Sequence, residues 1–310
     1  MHRPAVVMLI SALSIAGMHL AIRGAESTVP WQLFMMASLT IAVPTAVLVN
    51  VIKRVSVSEI LAGLKSPGLF LRAIVSVTGI VCLYTAQPRL TAAEMLAITN
   101  TYPIWIAITA GLLIWRIPRL RTRVSLSGLF SFEGLATLGI GLAGVAALLF
   151  EDLQVSQIGI PHVAAVCFSM LVAWAMLIVL ILGRDVRAEV VLLHLCLSLL
   201  VGGPLAALIV VPGSRAALQT GLRAETWDFV WLAGYAAALS VLGQWLRAEA
   251  LGMTRNPLIS SVALSTTGFA VVLEGLYFGH WPSPLQGFGM ALITMSSLVM
   301  LFSLAKITRP

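Results

Sequence analysis

The chain is a succession of apolar runs, each long enough for one membrane-crossing helix, joined by short links. A helix crosses the hydrocarbon core of a bilayer with about 20 predominantly apolar residues. Only 10% of the residues are charged, whereas a soluble domain carries roughly 25% and needs them to cover a water-facing surface. The sequence therefore predicts an all-α, polytopic integral membrane protein with ten transmembrane helices. The predicted spans are 4–22, 30–52, 69–88, 91–114, 128–150, 160–182, 190–211, 227–250, 257–279 and 285–305.

The first apolar run begins like a secretory signal peptide but does not end like one. Met1, His2 and Arg3 precede an apolar stretch that continues to Ile22, which is longer than the apolar part of a typical signal peptide. No clean small-x-small cleavage site comes before Arg23. We therefore expect this segment to remain in the protein as its first span.

The chain is basic, with 19 Lys and Arg against 12 Asp and Glu and a formal net charge of +7. The basic residues form short clusters between apolar runs and no aromatic-interleaved patch, so we do not expect nucleic acid as a partner. The expected partners are the lipid bilayer and a small-molecule substrate. No disulfide, metal site or cofactor is predicted, because the three cysteines each lie alone inside an apolar run. They are Cys82, Cys167 and Cys196.

Lys and Arg are shared unequally between the two sides of the predicted bundle. If the N-terminus is cytoplasmic, the segments on that side carry 14 of them, including Arg247, and the opposite segments carry 4, including Arg23. The remaining one, Arg72, lies within the third span. The positive-inside rule then predicts the cell (inner, cytoplasmic) membrane with both termini in the cytoplasm.

A glycine-rich pattern in the fifth span recurs at the tenth. Residues 139–143 read Gly-Ile-Gly-Leu-Ala, and residues 287–291 read Gly-Phe-Gly-Met-Ala at the corresponding place. Ten spans in two halves give five spans each, so the second half must be inverted relative to the first, an architecture of transporters. We predict one five-helix repeat over residues 1–152 and a second, inverted one over 153–310.

The same stretch, Gly139 to Gly144, matches the dinucleotide-binding pattern G-x-G-x-x-G letter for letter. It lies in the middle of an apolar run and follows no strand, so that interpretation lacks its structural context. Small residues in a span allow neighbouring helices to approach closely. We therefore expect this segment to pack against another helix.

In its spans and motifs the whole chain resembles the drug/metabolite transporter superfamily, specifically its EamA-type members. The resemblance rests on ten short spans, on Arg72 at the start of the third, and on the fourth span, where the small residues from Ala92 precede Tyr102-Pro103. The segment 284–289 entering the last span is similar to the family's closing pattern. The resemblance implies transport of amino acids, nucleotides, vitamins or drugs, mostly outward, without naming one cargo.

The chain departs from the family pattern at three places. Members usually carry a Glu just after the fourth and ninth spans, where Trp115 and His280 stand here. The ninth span also lacks a mid-membrane proline and has Thr267 near its place. These departures concern the substrate and leave the expected fold unchanged.

Ionisable residues inside spans are costly and therefore tend to face a cavity or a partner. Glu274 can line the pathway, bind a cationic group or exchange a proton, or else form a structural ion pair. His19 is a second proton-coupling candidate, against ordinary packing. Arg72 is given a structural role, with its side chain extended towards the headgroups, and we do not expect it to pair with Glu274.

Polar and aromatic side chains in the third, fourth and eighth spans are candidates for a binding cavity, against the alternative of ordinary interhelical hydrogen bonds. Pro103 removes a backbone N–H and frees a carbonyl one turn earlier, and broken helices with polar side chains are typical of midplane binding sites. With Glu274, the substrate-binding candidates are Tyr84, Asn100, Tyr102, Trp105, Gln244 and Trp245.

The predicted function is secondary transport by alternating access around a central polar cavity, most simply export of a small metabolite or drug. No Walker lysine loop is present, and neither H-E-x-x-H nor G-x-S-x-G occurs, so no enzyme activity is expected. An uptake permease of the same fold, a non-transporting membrane scaffold and an intramembrane enzyme are the alternatives. The sequence leaves a homodimer open.

Overall fold

The computed structural model describes residues 3–26, 31–86, 90, 95, 98–99, 101–117, 132–149, 159–183, 185–210, 228–254, 257–279 and 281–307. Within these ranges every regular element is a helix, and the predicted all-α class is confirmed. In chain order the helices are α1 (Arg3–Glu26), α2 (Trp31–Ile52), α3 (Val57–Leu64), α4 (Pro67–Ala86), α5 (Tyr102–Arg116), α6 (Phe132–Leu149), α7 (Ile160–Leu182), α8 (Ala188–Val210), α9 (Asp228–Met253), a 3-10 helix (Pro257–Leu264), α10 (Ser265–Phe278) and α11 (Pro284–Ile307).

Several of these helices are long and apolar enough to cross a membrane. Within the described ranges five qualify, and a sixth does if α3 and α4, which meet at a bend of 65°, form one span. Three further apolar helices are shorter. The fold is therefore that of a membrane-embedded helical protein. The five segments are Arg3–Ala25, Leu33–Ile52, Ile160–Leu182, Ala188–Leu205 and Phe229–Met253.

The structure adds two details that the apolar runs did not indicate. The link after α2 contains a helix, α3, which is too short to be found as an apolar run. A capping box begins it: the Glu59 N–H donates to the Ser56 hydroxyl, and the Ser56 N–H donates to the Glu59 carboxylate. The ninth span is not one α-helix, since its first part, Pro257–Leu264, is a 3-10 helix.

Two groups of helices form the body of the bundle. In the first, called the α1 group, α1 packs against α9 and against the 3-10 helix and α10. In the second, called the α7 group, α7 packs against α4 and α5. Helices α2 and α8 pack against each other; α2 also packs against α1 and α9, and α8 against α4 and α9. Helices α6 and α11 pack against each other and against the 3-10 helix, and α11 also contacts α10.

Small residues and backbone-directed hydrogen bonds hold α1 against α9. The Ser11 hydroxyl donates to the Gly243 carbonyl at 2.7 Å, and a Cβ on Gly17 would lie 2.8 Å from Leu239. These pairs run in opposite directions along the two helices, so α1 and α9 are antiparallel. Hereafter the end of the bundle where α1 begins is the proximal end, and the end where α1 finishes is the distal end.

The largest buried cluster of apolar side chains lies at the proximal end and joins the two groups. It contains Met8 of α1 and Leu251 of α9 together with Leu69 of α4 and Leu180 of α7. Clusters nearer the distal end are smaller and separate: one joins α1, α2 and α9, and another joins α4, α7 and the residues before α5. Among the described residues, no buried cluster joins the two groups at the distal end.

The glycine pattern of the fifth predicted span lies on α6 and packs against α11, as expected. A Cβ on Gly144 would lie 2.6 Å from the Gly289 carbonyl oxygen, and one on Gly141 would lie 2.8 Å from Leu264. Beside them the Ser296 hydroxyl donates to the Thr137 carbonyl at 2.7 Å. The close approach of the two backbones therefore depends on glycine, which has no side chain, at positions 141 and 144.

Gly144→Ala is expected to destabilise the protein by about 1–3 kcal/mol, because its methyl group would collide with backbone and force α6 and α11 apart. Gly139→Ala is the matched control, since nothing lies within 4 Å of a Cβ there and alanine favours the helix by up to about 1 kcal/mol. The measurement is reversible unfolding in mixed micelles followed by circular dichroism. Equal stability of the two variants would contradict the packing argument.

Candidate functional site

A cavity of about 350 Å³ lies between the α1 group and the α7 group, with α2 and α8 along its sides. It extends along α1 from Ile15 to Ala25, which is about 15 Å at the helical rise per residue. Most of its surface is apolar, with a few polar and charged side chains, as is typical of small-molecule sites. The apolar lining includes Ile15, Met18, Leu39, Ile80, Leu83, Phe168 and Leu171.

An ion pair lies at the distal part of the cavity. The Arg23 guanidinium on the last turn of α1 donates to the Glu274 carboxylate of α10, and both residues line the cavity. Arg23 also lies over the Phe278 ring, 5.9 Å from its centroid. Glu274 is therefore part of an ion pair in this conformation, which is one of the alternatives that the sequence left open for it. The charge count of the sequence placed Arg23 in a link between spans, whereas it lies on a helix and lines the cavity.

Two further arginines line the cavity nearer the proximal end, and both are buried. Arg72 of α4 is 4% exposed and donates through Nη1 to the Val191 carbonyl at 3.1 Å. Its predicted extension towards the headgroups is wrong, because a carbonyl of α8 holds it inside the bundle. It is not paired with Glu274, as expected.

Arg247 of α9 is 7% exposed, and its guanidinium lies 5.7 Å from the centroid of the Tyr102 ring. The charge count of the sequence placed Arg247 on the cytoplasmic side of the membrane, whereas it lies within a helix and against the cavity. The Nε–H groups of Arg72 and Arg247 are both buried without a hydrogen-bond partner among the described residues.

Several further polar side chains line the cavity. The proton-coupling candidate His19 and the binding candidate Gln244 both line the cavity. Three serines that the sequence analysis did not select also line it: Ser38, Ser76 and Ser240. A serine within an apolar run is common in membrane helices, so the sequence offered no reason to prefer these three.

The helix of the fourth predicted span is interrupted just before Pro103. Helix α5 begins at Tyr102, with Pro103 in its first turn, and Thr101 is a turn residue. The carbonyl four residues before the proline is that of Thr99, and it accepts a hydrogen bond from the Ser169 hydroxyl of α7 at 3.0 Å. The freed carbonyl is therefore satisfied by a neighbouring helix, which keeps the break stable at membrane depth.

Tyr102 lies where the two helix groups meet. It is 3% exposed and lines the cavity, and its hydroxyl donates at 3.5 Å to the Ser260 carbonyl of the 3-10 helix. Together with its contact to Arg247, this joins α5 of one group to both α9 and the 3-10 helix of the other. The interrupted helix thus positions a side chain at the proximal closure of the cavity.

Two predicted cavity residues do not line it. Trp105 packs beside the large proximal cluster, and Trp245 packs beside a cluster of α2, α8 and α9. The indole N–H of each is buried without a partner among the described residues. Trp245 contacts Lys53, whose Nζ lies 4.7 Å from a ring centroid. Both were predicted from residue type, and helical phase turns them away from the cavity.

The remaining two candidates cannot be placed. Asn100 lies outside the described residues, and of Tyr84 only the backbone, in α4, is described. Within the described part of the chain, no group of three or more His, Cys, Asp or Glu side chains is arranged to hold a metal ion. What the site does offer is a largely apolar chamber with cationic groups at two depths.

Comparison with known proteins shows the fold and no more. Neither a protein-family model nor a curated protein matches the chain. Among solved structures, 28 chains match it. One of them, described only as the crystal structure of a protein, superposes with a TM-score of 0.69 at 18% identity and covers 99% of both chains. This end-to-end likeness shows a shared fold, and at this identity it carries no activity.

Proposed function

We propose that the protein is a secondary transporter that moves a small organic solute across the membrane by alternating access. The observation that carries the proposal is the position of the cavity relative to the two helix groups. It lies between them, is closed at the proximal end by a large buried cluster, and has no such cluster across the groups at the distal end in the described residues. Such a chamber needs only a shift of one group against the other to change the side from which it is reached.

The pattern of helix contacts supports two inverted five-helix repeats within ten spans. The helices of the first five spans are α1, α2, α4, α5 and α6, and those of the second five are α7, α8, α9, α10 with its 3-10 helix, and α11. Exchanging each helix with its counterpart in the other half turns the α1–α9 contact into the α7–α4 contact. The same exchange turns α2–α9 into α8–α4, and α1–α10 into α7–α5, all of which are present. The contacts α2–α8 and α6–α11 map onto themselves. A pseudo-two-fold axis between residues 1–152 and 153–310 accounts for this pattern.

The sequence adds three elements to the proposal. Its resemblance to EamA-type members of the drug/metabolite transporter superfamily favours transport, and export in particular. The excess of Lys and Arg on the proximal side favours the cell membrane with both termini cytoplasmic. With that orientation, the end at which no described cluster joins the two groups is the outer one, the side at which an exporter releases its cargo.

The alternatives have less support. A non-transporting scaffold has no need of buried arginines around a chamber, since such groups are costly at membrane depth. An intramembrane enzyme needs a clustered set of reactive groups, whereas the charged groups here are mainly arginines. An uptake permease would use the same fold and cavity, and only a flux measurement separates it from an exporter.

The test is flux in proteoliposomes loaded with a mixed pool of amino acids, nucleosides and aromatic acids, with and without an imposed proton gradient. We expect protein-dependent movement of one class of solute, analysed by mass spectrometry against protein-free vesicles. Failure of every class to move, with correctly folded protein, would contradict the transporter proposal.

The same assay separates a coupling role of Glu274 from a structural one. Glu274→Gln and Arg23→Gln both break the ion pair, but only the first removes a group that can carry a proton. If Glu274 couples transport to protons, Glu274→Gln abolishes the dependence on the gradient and Arg23→Gln retains it. An equal effect of the two variants assigns the role to the ion pair itself and leaves His19 as the coupling candidate.

A further inference from the structure

The cavity has an excess of positive charge. Among the described residues that line it, three arginines stand against one carboxylate: Arg23, Arg72 and Arg247 against Glu274. Because Arg23 and Glu274 bind each other, the two proximal guanidiniums carry the excess. Arginine does not lose its proton in proteins, so these charges are permanent. His19 cannot offset them, since imidazole is either neutral or cationic.

The two proximal arginines have no carboxylate partner among the residues that the structure describes. Within the described part of the chain, no carboxylate lies within salt-bridge distance of Arg72 or Arg247. Both are more than nine-tenths buried, and each has an Nε–H without an acceptor among the described residues. Burial of an unpaired charge is strongly unfavourable unless a charged or hydrogen-bonding partner arrives. The described lining therefore offers these two guanidiniums no anion of its own, and an anionic ligand would supply one.

The rest of the lining defines what such an anion carries. Beyond the arginines the cavity is lined by apolar side chains of α1, α2, α4 and α7, including Met18, Leu39, Ile80 and Phe168. A small inorganic anion would leave this surface in contact with water or empty. A molecule with an anionic group at one end and an apolar body fits both parts.

We propose that Arg72 and Arg247 form the head-group site for an amphipathic organic anion, most simply a carboxylate, whose apolar body lies in the distal part of the cavity. The planar guanidinium forms paired hydrogen bonds that match carboxylate geometry. Tyr102 holds the Arg247 guanidinium from one side, and the Val191 carbonyl holds Arg72. This inference names the substrate class of the proposed transporter and rests on that function.

The experiment measures binding and does not require transport. Purified protein in phosphatidylcholine nanodiscs, which supply no net anionic headgroups, is titrated calorimetrically with 3-phenylpropionate, 3-phenylpropylamine and 3-phenylpropanol. The three probes share one body and differ in head-group charge. We expect the acid to bind at least tenfold more tightly than the amine, with the alcohol between them.

Variants assign the preference to the arginines. Arg247→Gln is expected to weaken binding of the acid about tenfold to a hundredfold, with the alcohol little changed. Arg247→Lys keeps the charge but loses the paired hydrogen bonds of the guanidinium, so its affinity for the acid is expected to lie between those of the wild type and Arg247→Gln. Arg116→Gln is the matched control, because Arg116 is exposed and lies outside the cavity. Arg72→Lys repeats the test at the second arginine if Arg247→Gln does not fold.

The outcomes separate this inference from the transporter proposal. Equal affinity for acid and amine, or acid binding that Arg247→Gln leaves unchanged, would overturn the anion site even if solutes move in the flux assay. Displacement of 3-phenylpropionate by inorganic phosphate at equal concentration would overturn the role of the apolar surface. Arginine-dependent binding of the acid without any flux would support the anion site and contradict the transporter proposal.

Discussion

Replacement of Ser240 by tryptophan is expected to abolish transport while the protein still folds. Ser240 lines the cavity from α9, between the depth of the distal ion pair and that of the proximal arginines. The cavity of about 350 Å³ is at the small end of the range for ligand sites. An indole group there would occupy much of the space that a substrate needs, and its apolar body matches the lining.

The matched control is Ala238→Trp. Ala238 lies two residues earlier on α9 and is exposed, so a tryptophan there faces away from the cavity. Both variants add one large side chain to the same helix, and only the position relative to the cavity differs. The measurement is initial flux in proteoliposomes, with gel filtration to establish folding. Full transport by Ser240→Trp would show that the cavity is not the route of the substrate.

The sequence predicted the class of fold well because that class depends on composition. Ten apolar runs with few charges leave a helical bundle in lipid as the available solution, since every backbone polar group must be satisfied internally. The interruption before Pro103 was predictable for a related reason, because proline removes a specific hydrogen bond. The partner that satisfies the freed carbonyl, Ser169, lies on another helix and could not be deduced from local sequence.

The candidate site was predicted only in part, because it depends on helical phase and on which helices meet. Arg23 and Arg247 were taken as orientation charges, since they lie near the ends of apolar runs. The α1–α9 and α1–α10 contacts bring them to the cavity. Trp105 and Trp245 have the right residue type at the right depth, but their helices turn them elsewhere. The type of a residue and its depth in the membrane do not determine towards which side of its helix the side chain points.

Cross-linking of the two helix groups at the proximal end is expected to stop transport reversibly. Gly252 at the end of α9 and Gly183 just after α7 belong to different groups, and a Cβ on Gly252 would lie 3.7 Å from the Gly183 carbonyl oxygen. Alternating access requires this end to open once per cycle. A tether between cysteines at these two positions holds it closed, so a substrate cannot enter the cavity from the proximal side, the side on which an exporter loads.

The experiment uses Gly183→Cys/Gly252→Cys in a background in which Cys82, Cys167 and Cys196 are alanine. Both sites line a second cavity of about 340 Å³ at the proximal end, which gives a short, reducible bifunctional thiol reagent access to them. Gly183 has φ of 54° and ψ of −121°, a backbone conformation that side chains rarely adopt, so cysteine there costs on the order of 1–3 kcal/mol, equally with and without the tether. We expect flux to fall to the level of protein-free vesicles after reaction and to return after reduction, with each single-cysteine variant unaffected. Undiminished flux through the tethered protein would mean that the two groups do not separate at this end, and the alternating-access mechanism would then be wrong.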